Sequence, residues 1–151
     1  MGKKNISKKI PLRFYKKIAE LMPIACIDCL LEADGKFFLF KRAYEPAKAK
    51  WWLFGGRILK GERIYSAVKR KAKEEIGIDV KIKKMIGTYE VFLEKNRFGS
   101  PSHSVAVCFL VEPKNKNFSI RLSDEYTGFK TITGTQKGLH PYIKNVLKDV
   151  A

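Results

Sequence analysis

The 151-residue sequence is poor in cysteine, which excludes a protein held together by disulfide bonds. It has three cysteines, an odd number, whereas a disulfide framework needs pairs. Cys26 and Cys29 form a C-x-x-C pair compatible with a redox motif or half of a zinc site, but no second cysteine or histidine pair follows at metal-binding spacing. Because Cys26, Cys29 and Cys108 all lie in apolar runs, we interpret them as buried strand residues.

Long apolar runs are also lacking. No stretch approaches the length of a transmembrane helix, and no apolar segment follows the basic residues at the N-terminus. We therefore expect no membrane partner, no secretory signal and a cytoplasmic location. A hydrophobic fraction of 45% predicts an ordinary packed core. We expect residues 1–9 to form a flexible basic arm and residues 10–151 to form one domain.

Acidic residues are scarce beside basic ones, with 15 Asp and Glu against 31 Lys and Arg and a net charge of +16. Such a positive field predicts anionic partners, and nucleic acid and a nucleoside diphosphate are two candidates. A lysine-rich surface of the kind found in some heat-adapted proteins is a third interpretation. The sequence has no aromatic and basic RNA-recognition motif, so the nucleic-acid interpretation rests on charge alone.

Hydrophobic periodicity predicts a mixed sheet flanked by helices. Helices are predicted over residues 11–21, 62–76 and 138–150, and Gly77 caps the second. Strands are predicted over residues 24–32, 36–42, 51–54, 80–92, 104–111 and 125–132, with Asp34-Gly35 as a hairpin turn. This order indicates an α/β fold of the α+β kind, an α/β/α sandwich with a mixed β-sheet.

The most informative stretch is residues 55–78, GGRILKGERIYSAVKRKAKEEIGI. A loop and helix of this composition can hold a divalent metal against a diphosphate, because carboxylates suit Mg²⁺ and an arginine fork suits phosphate. The stretch resembles the Nudix hydrolase signature, whose spacing is matched by Gly56, Glu62, Arg70, Ala72, Glu74, Glu75, Gly77 and Ile78. One position departs from the signature, since Lys71 stands where the family has Glu.

Within the Nudix family, the chain is most similar to the GDP-mannose mannosyl hydrolase branch. The likeness lies in residues 23–32, 41–62, 92–96 and 99–109, and it extends more weakly over about residues 10–131. It implies hydrolysis of a nucleoside diphosphate sugar in which water attacks the anomeric carbon and the nucleoside diphosphate leaves. Lys71 fits this branch, which also lacks a carboxylate at that position.

The resemblance also implies a metal site. The Gly55 carbonyl and a Glu75 oxygen would bind Mg²⁺, and Mn²⁺ would substitute for it. Glu74 and Glu75 would share metal if the enzyme instead attacked phosphorus. A local alternative is that Lys71 and Glu75, four residues apart, form a helix ion pair, as Arg70 and Glu74 could.

The remaining roles are likewise implied by the resemblance. Arg57 and Arg70 would neutralise the departing diphosphate, and Arg42 would hold the diphosphate or the sugar. Asp28 would orient polar groups, although a structural ion pair is the alternative for a carboxylate in an apolar strand. Tyr15 matches an aromatic residue that stacks on the base, but an aromatic residue on an amphipathic helix also serves in packing. Arg42 could equally be an ordinary surface residue.

The general base is the departure that matters most. The family uses a histidine before the last strand, beside a glutamine, and Ser123 and Leu122 stand at these positions here. A serine cannot accept a proton unaided near neutral pH. The candidates for the missing base are Asp124, Glu125 and His103. His103 also matches a family histidine near the sugar.

Four functions follow as hypotheses. The first is Mg²⁺-dependent hydrolysis of a nucleoside diphosphate sugar, and the second is a Nudix pyrophosphatase that attacks phosphorus. The third is a nucleotide-sugar-binding module without turnover, which the serine at position 123 favours. The fourth is charge-driven RNA binding. The family resemblance also implies a homodimer.

Overall fold

The computed structural model describes residues 10–151, so the predicted basic arm at residues 1–9 lies outside the described residues. The helices and strands in chain order are α1 Leu12–Leu21, β1 Ile24–Ala33, β2 Lys36–Arg42, β3 Trp51–Trp52, β4 Phe54–Arg57, α2 Ile64–Ile76, β5 Val80–Leu93, β6 Ser102–Pro113, β7 Tyr126–Ile132 and α3 Pro141–Val150. The predicted α/β fold with a mixed sheet is confirmed.

The strands form one seven-stranded sheet in the order β3-β2-β1-β6-β5, in which β4 also pairs with β1 and β7 with β2. β1 and β6 are parallel, whereas the remaining pairs are antiparallel. The β1–β4 pair matters most for the site, because its register sets Asp28 opposite Gly55. Gly55 and Gly56, called the glycine pair below, lie within β4 and are thereby fixed against a buried strand.

The two faces of the sheet carry separate apolar clusters. One contains Ile143, Val146 and Leu147 of α3, packed with Leu30 and Leu39 of the sheet. The other lies beneath α2, the helix of the signature, and contains its buried apolar residues, which are Ala67, Val68, Ala72 and Ile76. Since α2 and α3 cover opposite faces, the layers form the predicted sandwich.

Several element boundaries differ from the prediction, and two of the differences have local reasons. α2 begins at Ile64 rather than at position 62, because the Glu62 carboxylate accepts a hydrogen bond from the Leu59 N–H and stays in the preceding turn. The predicted strand over residues 51–54 divides at Leu53, since β3 pairs with β2 and β4 pairs with β1. The helix ends as predicted, with Gly77 in the left-handed conformation at φ 71°.

The cysteines lie in β1 and β6, as interpreted from the sequence. Cys29 and Cys108 are buried and Cys26 is half-buried, and all three are free thiols. Cys26 and Cys29 pack into the clusters on opposite faces of the sheet, so they do not form one metal or redox pair. Among residues 10–151, none of the helices combines the length and the apolar character that crossing a membrane would require.

Candidate active site

The predicted site residues come together around one cleft of about 710 Å³. Its lining includes every residue to which the sequence assigned a role, namely Tyr15, Asp28, Arg42, Gly55, Arg57, Arg70, Glu74, Glu75, His103, Asp124 and Glu125. A volume of this order suits a small-molecule ligand. The structure thus gathers these side chains, while the role of each one stays a prediction.

The glycine pair of β4 forms one wall of the cleft. A Cβ atom at position 55 would lie 2.1 Å from the Ile27 carbonyl oxygen and 2.5 Å from Asp28 Oδ1, so only glycine fits against β1 here. The Gly55 N–H donates a hydrogen bond to Glu75 Oε2 at 3.2 Å. This hydrogen bond connects β4 to the last turn of α2.

Glu75 is a buried carboxylate that several protein donors satisfy. Besides the Gly55 N–H, the Tyr126 hydroxyl donates a short hydrogen bond to Oε2. The Lys71 ammonium lies 2.7 Å from Oε1, and the Glu75 side chain is 5% exposed. The helix ion pair that the spacing allowed therefore exists, and both carboxylate oxygens have partners.

Arg70 holds the signature loop in its shape. Its Nε and Nη2 donate to the two Glu62 oxygens at 2.6 and 2.9 Å, and Nη2 also donates to the Arg57 carbonyl at 3.2 Å. Its Nη1 donates to Glu74 at 3.1 Å. Burial raises the pKa of Glu62, but the Arg70 and Leu59 hydrogen bonds outweigh it and the pKa lies below its ordinary value. The predicted phosphate contact of Arg70 would compete with these bonds.

Asp28 projects from β1 into the cleft beside the glycine pair of β4. The Tyr142 hydroxyl of α3 donates a hydrogen bond to Asp28 Oδ2 at 2.6 Å, and it also lies 2.9 Å from Cys108 Sγ. Burial raises the pKa of Asp28 to about 7, against the opposing effects of the Tyr142 hydrogen bond and of Arg42. This carboxyl can therefore exchange a proton near neutral pH.

One rim of the cleft is a network of arginine and glutamate. Arg97 Nη2 donates to Glu125 Oε1 at 3.1 Å, and Arg42 Nη2 lies 3.9 Å from Glu125 Oε2. Arg42 Nε also donates to the Pro46 carbonyl at 3.1 Å, and the Arg42 side chain is 12% exposed. Arg42 is thus no freely solvated surface residue, which was the alternative interpretation.

The loop at residues 123–125 is fixed near the acidic end of α2. The Ser123 N–H donates to the Glu75 carbonyl at 2.9 Å, and Ser123 Oγ accepts from the Glu125 N–H. Asp124 is exposed. The position where the family carries its histidine is therefore beside the backbone of Glu75, but the residue there is a serine.

Three aromatic contacts place the remaining predicted residues. The Arg57 guanidinium lies over the Tyr15 ring at 5.0 Å, and the Tyr15 ring meets Phe98 edge-on at 5.9 Å. His103 stacks on Phe92 with ring centroids 4.3 Å apart. Tyr15 thus combines the packing alternative with a position on the cleft wall.

Sequence reasoning missed three polar partners in the site. Tyr126 lies in the segment aligned with the family's base, but nothing in its spacing pointed to Glu75. Tyr142 is 114 residues from Asp28, and Arg97 is 28 residues from Glu125. Each of these contacts forms only when the sheet and its loops assemble, so local patterns could not reveal it.

A divalent metal is the cofactor that Nudix enzymes generally use. The carboxylates have the right chemistry for Mg²⁺, but their arrangement does not fit an ion at Glu75. Oε2 is bonded to Gly55 and Tyr126, and the Lys71 ammonium stands where an ion bound to Oε1 would lie. Within residues 10–151, no group of three or more metal-ligating side chains is found. The metal role of Gly55, Glu74 and Glu75 stays a prediction that requires Lys71 to withdraw.

The fold is an α/β/α sandwich, and its signature loop and helix gather basic and acidic groups at one cleft. The model of the NUDIX domain family matches residues 22–139. The chain therefore belongs to the Nudix family, and the Nudix hydrolase predicted from the sequence is confirmed. Nudix hydrolases act on nucleoside diphosphate derivatives.

Three known proteins illustrate the relationship. The chain is 29% identical over 141 residues to the low-salt glycan biosynthesis protein Agl8 of Haloferax volcanii, covering 92% of this chain and 89% of the relative. It is 38% identical over 86 residues to ADP-ribose pyrophosphatase of Methanocaldococcus jannaschii, covering 57% of this chain and 50% of the relative. The MutT Nudix hydrolase from Burkholderia pseudomallei has the same fold, with a TM-score of 0.72, 22% identity and coverage of 86% and 99%.

Proposed function

We propose that this protein hydrolyses a nucleoside diphosphate sugar, most like GDP-mannose, by attack of water on the anomeric carbon of the sugar. The nucleoside diphosphate is then the leaving group. The observation that carries this proposal is the set of cationic side chains around the cleft, namely Arg42, Arg57, Arg70 and Lys71. Cations fixed in a site of low polarity stabilise the charge that develops on a departing diphosphate.

Lys71 favours attack at carbon over attack at phosphorus. A site that attacks phosphorus assembles metal ions around the reacting phosphate, and a carboxylate at position 71 would help to bind them. Here an ammonium replaces that carboxylate and pairs with Glu75. Stabilising a leaving diphosphate requires only positive charge near its oxygens, which Lys71 and the arginines supply.

Proton transfer is the second requirement. An acid or base acts best when its pKa lies near the working pH, and the pKa of Asp28 is raised to about 7 by burial. Asp28 lines the same cleft as Arg42 and Arg57. We therefore add Asp28 to Asp124, Glu125 and His103 as a candidate to accept the proton of the attacking water.

The relatives support both chemistries of the family. Similarity to a protein of glycan biosynthesis over 92% of this chain is in accord with a nucleotide-sugar substrate. Similarity to an ADP-ribose pyrophosphatase over 57% of the chain favours the second candidate, a pyrophosphatase that attacks phosphorus with Glu74 and Glu75 sharing metal. Both candidates use the same cleft, so their products decide between them.

The deciding experiment is hydrolysis in ¹⁸O-labelled water. A panel of nucleotide sugars and dinucleotides is incubated with the protein in excess Mg²⁺, in Mn²⁺ and in EDTA, and the products are identified by NMR and mass spectrometry. Label in the sugar supports the proposal, whereas label in a phosphate product refutes it and supports the pyrophosphatase. The metal series also tests the Mg²⁺ dependence that the family resemblance predicts.

Two further outcomes correspond to the other hypotheses. Tight binding of a nucleotide sugar without any product would identify a binding module that lacks its base at Ser123. Binding of RNA with steep salt dependence, without binding of nucleotide sugars, would show that the charge of +16 serves nucleic acid instead.

A further inference from the structure

We propose that the Lys71 ammonium is a cation built into the chain beside Glu75, so that the site binds a diphosphate without a divalent metal. The inference rests on the proposed function in one respect, namely that a diphosphate is the ligand. It assigns to the chain's own side chain the charge that a metal ion would otherwise bring.

The contacts of Lys71 are those of a shared cation. Its Nζ lies 2.7 Å from Glu75 Oε1 and 3.8 Å from Glu74 Oε2. These are the two carboxylates that the sequence predicted to share metal. One ammonium group therefore stands between the two acidic side chains, and its own side chain is 17% exposed at the edge of the cleft.

Gly56, in the glycine pair of β4, leaves room for this lysine. A Cβ atom at position 56 would lie 2.7 Å from Lys71 Cε and 3.0 Å from Nζ. A larger residue there would push the lysine away from its present position. Gly56 and Lys71 both line the cleft, so the glycine pair and the ammonium belong to one wall of the binding site.

Burial distinguishes this pair from an ordinary ion pair on a helix surface. A surface pair contributes little because water competes with it, whereas a buried carboxylate needs partners to remain charged. Glu75 is 5% exposed and has the Gly55 N–H, the Tyr126 hydroxyl and Lys71 around it. The carboxylate is thus fully satisfied by protein groups.

The consequence for ligands follows from charge. An ammonium has three N–H donors, so Lys71 keeps donors for phosphate oxygens after it has bonded to Glu75. The same positive charge repels a divalent cation from Glu75 and Glu74. Replacing the family's glutamate by lysine makes the local charge more positive by two units, which weakens the attraction for a metal ion and favours a phosphate oxygen at the free N–H donors of Lys71.

The test uses the full chain with inorganic pyrophosphate and Mn²⁺ as probes. Pyrophosphate affinity is measured by calorimetry in excess EDTA and in excess Mg²⁺, and binding of Mn²⁺ alone is measured by electron paramagnetic resonance. The variants are Lys71→Gln, which removes the charge, and Lys71→Glu, which restores the family's carboxylate. Lys69→Gln is the matched control, because Lys69 is an exposed residue of the same helix and removes the same charge.

We expect the natural chain to bind pyrophosphate about equally in EDTA and in Mg²⁺ and to bind Mn²⁺ only weakly. Lys71→Gln should weaken binding in EDTA about tenfold, the usual effect of losing one charged contact, whereas Lys69→Gln should not. Lys71→Glu should bind Mn²⁺ at least about tenfold more tightly than the natural chain, because it adds a third carboxylate.

Several results would overturn the inference. It fails if the natural chain binds pyrophosphate only with Mg²⁺ or binds Mn²⁺ tightly by itself, and neither measurement depends on a variant that folds. It also fails if Lys71→Gln and Lys69→Gln behave alike in EDTA. Metal-free pyrophosphate binding without turnover of any nucleotide sugar would instead refute the proposed function alone, and an absence of diphosphate binding in all conditions would refute both.

Discussion

The replacement Asp28→Asn should make the protein more stable at alkaline pH and less active. Asp28 is a carboxyl whose pKa is raised by burial from 3.8 to about 7. A raised pKa means that the folded state holds its proton more tightly than the unfolded state. The stability that this group contributes is therefore present below about pH 4 and is lost as the pH rises through 7.

The size of the effect follows from the shift. A difference of about three pKa units corresponds to about 4 kcal/mol, since each unit is worth about 1.4 kcal/mol. Asparagine carries no charge, and its side-chain oxygen can still accept the hydrogen bond from the Tyr142 hydroxyl. We expect the variant to exceed the natural chain by up to about 4 kcal/mol near pH 8, equivalent to about 10 °C in Tm, and by less than about 1 kcal/mol near pH 4.

The assay is urea and thermal unfolding in EDTA across this pH range, followed by turnover of whichever substrate the hydrolysis in labelled water identifies. Asp34→Asn is the matched control, because Asp34 is exposed in the β1–β2 turn and asparagine suits the same turn conformation. The control should leave the pH profile unchanged. If Asp28→Asn is instead destabilising near pH 8, Arg42 and Lys71 compensate the charge of the carboxylate in the fold, and the reasoning is wrong.

Three further variants test the site. Glu75→Gln should cost about 3 kcal/mol by leaving Lys71 without its buried partner, measured by urea unfolding in EDTA, and should reduce turnover; an unchanged protein would refute the role of Glu75. Gly55→Ala should cost up to about 3 kcal/mol because its Cβ meets a backbone oxygen at 2.1 Å, whereas Gly134→Ala, with open space around it, should be neutral in the same Tm measurement. Ser123→His should raise the initial rate, up to about 10²-fold, if the proton acceptor is missing; no gain would mean that another group already serves.

The layout of the fold was predictable because its signals are local. Alternating and helical periodicity depend on neighbouring residues, and so does the left-handed cap at Gly77. The signature in residues 55–78 also fixes its own geometry, since Arg70 reaches Glu62 and Glu74 within one loop and helix. The sequence could therefore place the glycine pair, the helix and the acidic residues at one cleft without knowledge of distant parts of the chain.

The chemistry of the site was less predictable because it depends on distant partners and on burial. Tyr142 reaches Asp28 across 114 residues, and this contact comes from the packing of α3 against the sheet. The spacing of Lys71 and Glu75 allowed an ion pair, but spacing does not tell a solvated pair from an enclosed one. Only the packing of the glycine pair and Tyr126 against Glu75 shows that the carboxylate is enclosed.

The single departure from the family's signature and the burial of Glu75 are best understood together. A carboxylate that is 5% exposed requires positive charge nearby, and a glutamate at position 71 would add negative charge instead. A signature with that glutamate therefore depends on a bound ion to balance its carboxylates. In this chain, Lys71 balances the buried Glu75 carboxylate instead. Restoring the glutamate must then either recruit a metal or destabilise the fold, because no third source of charge compensation lies within the Glu75 contacts described.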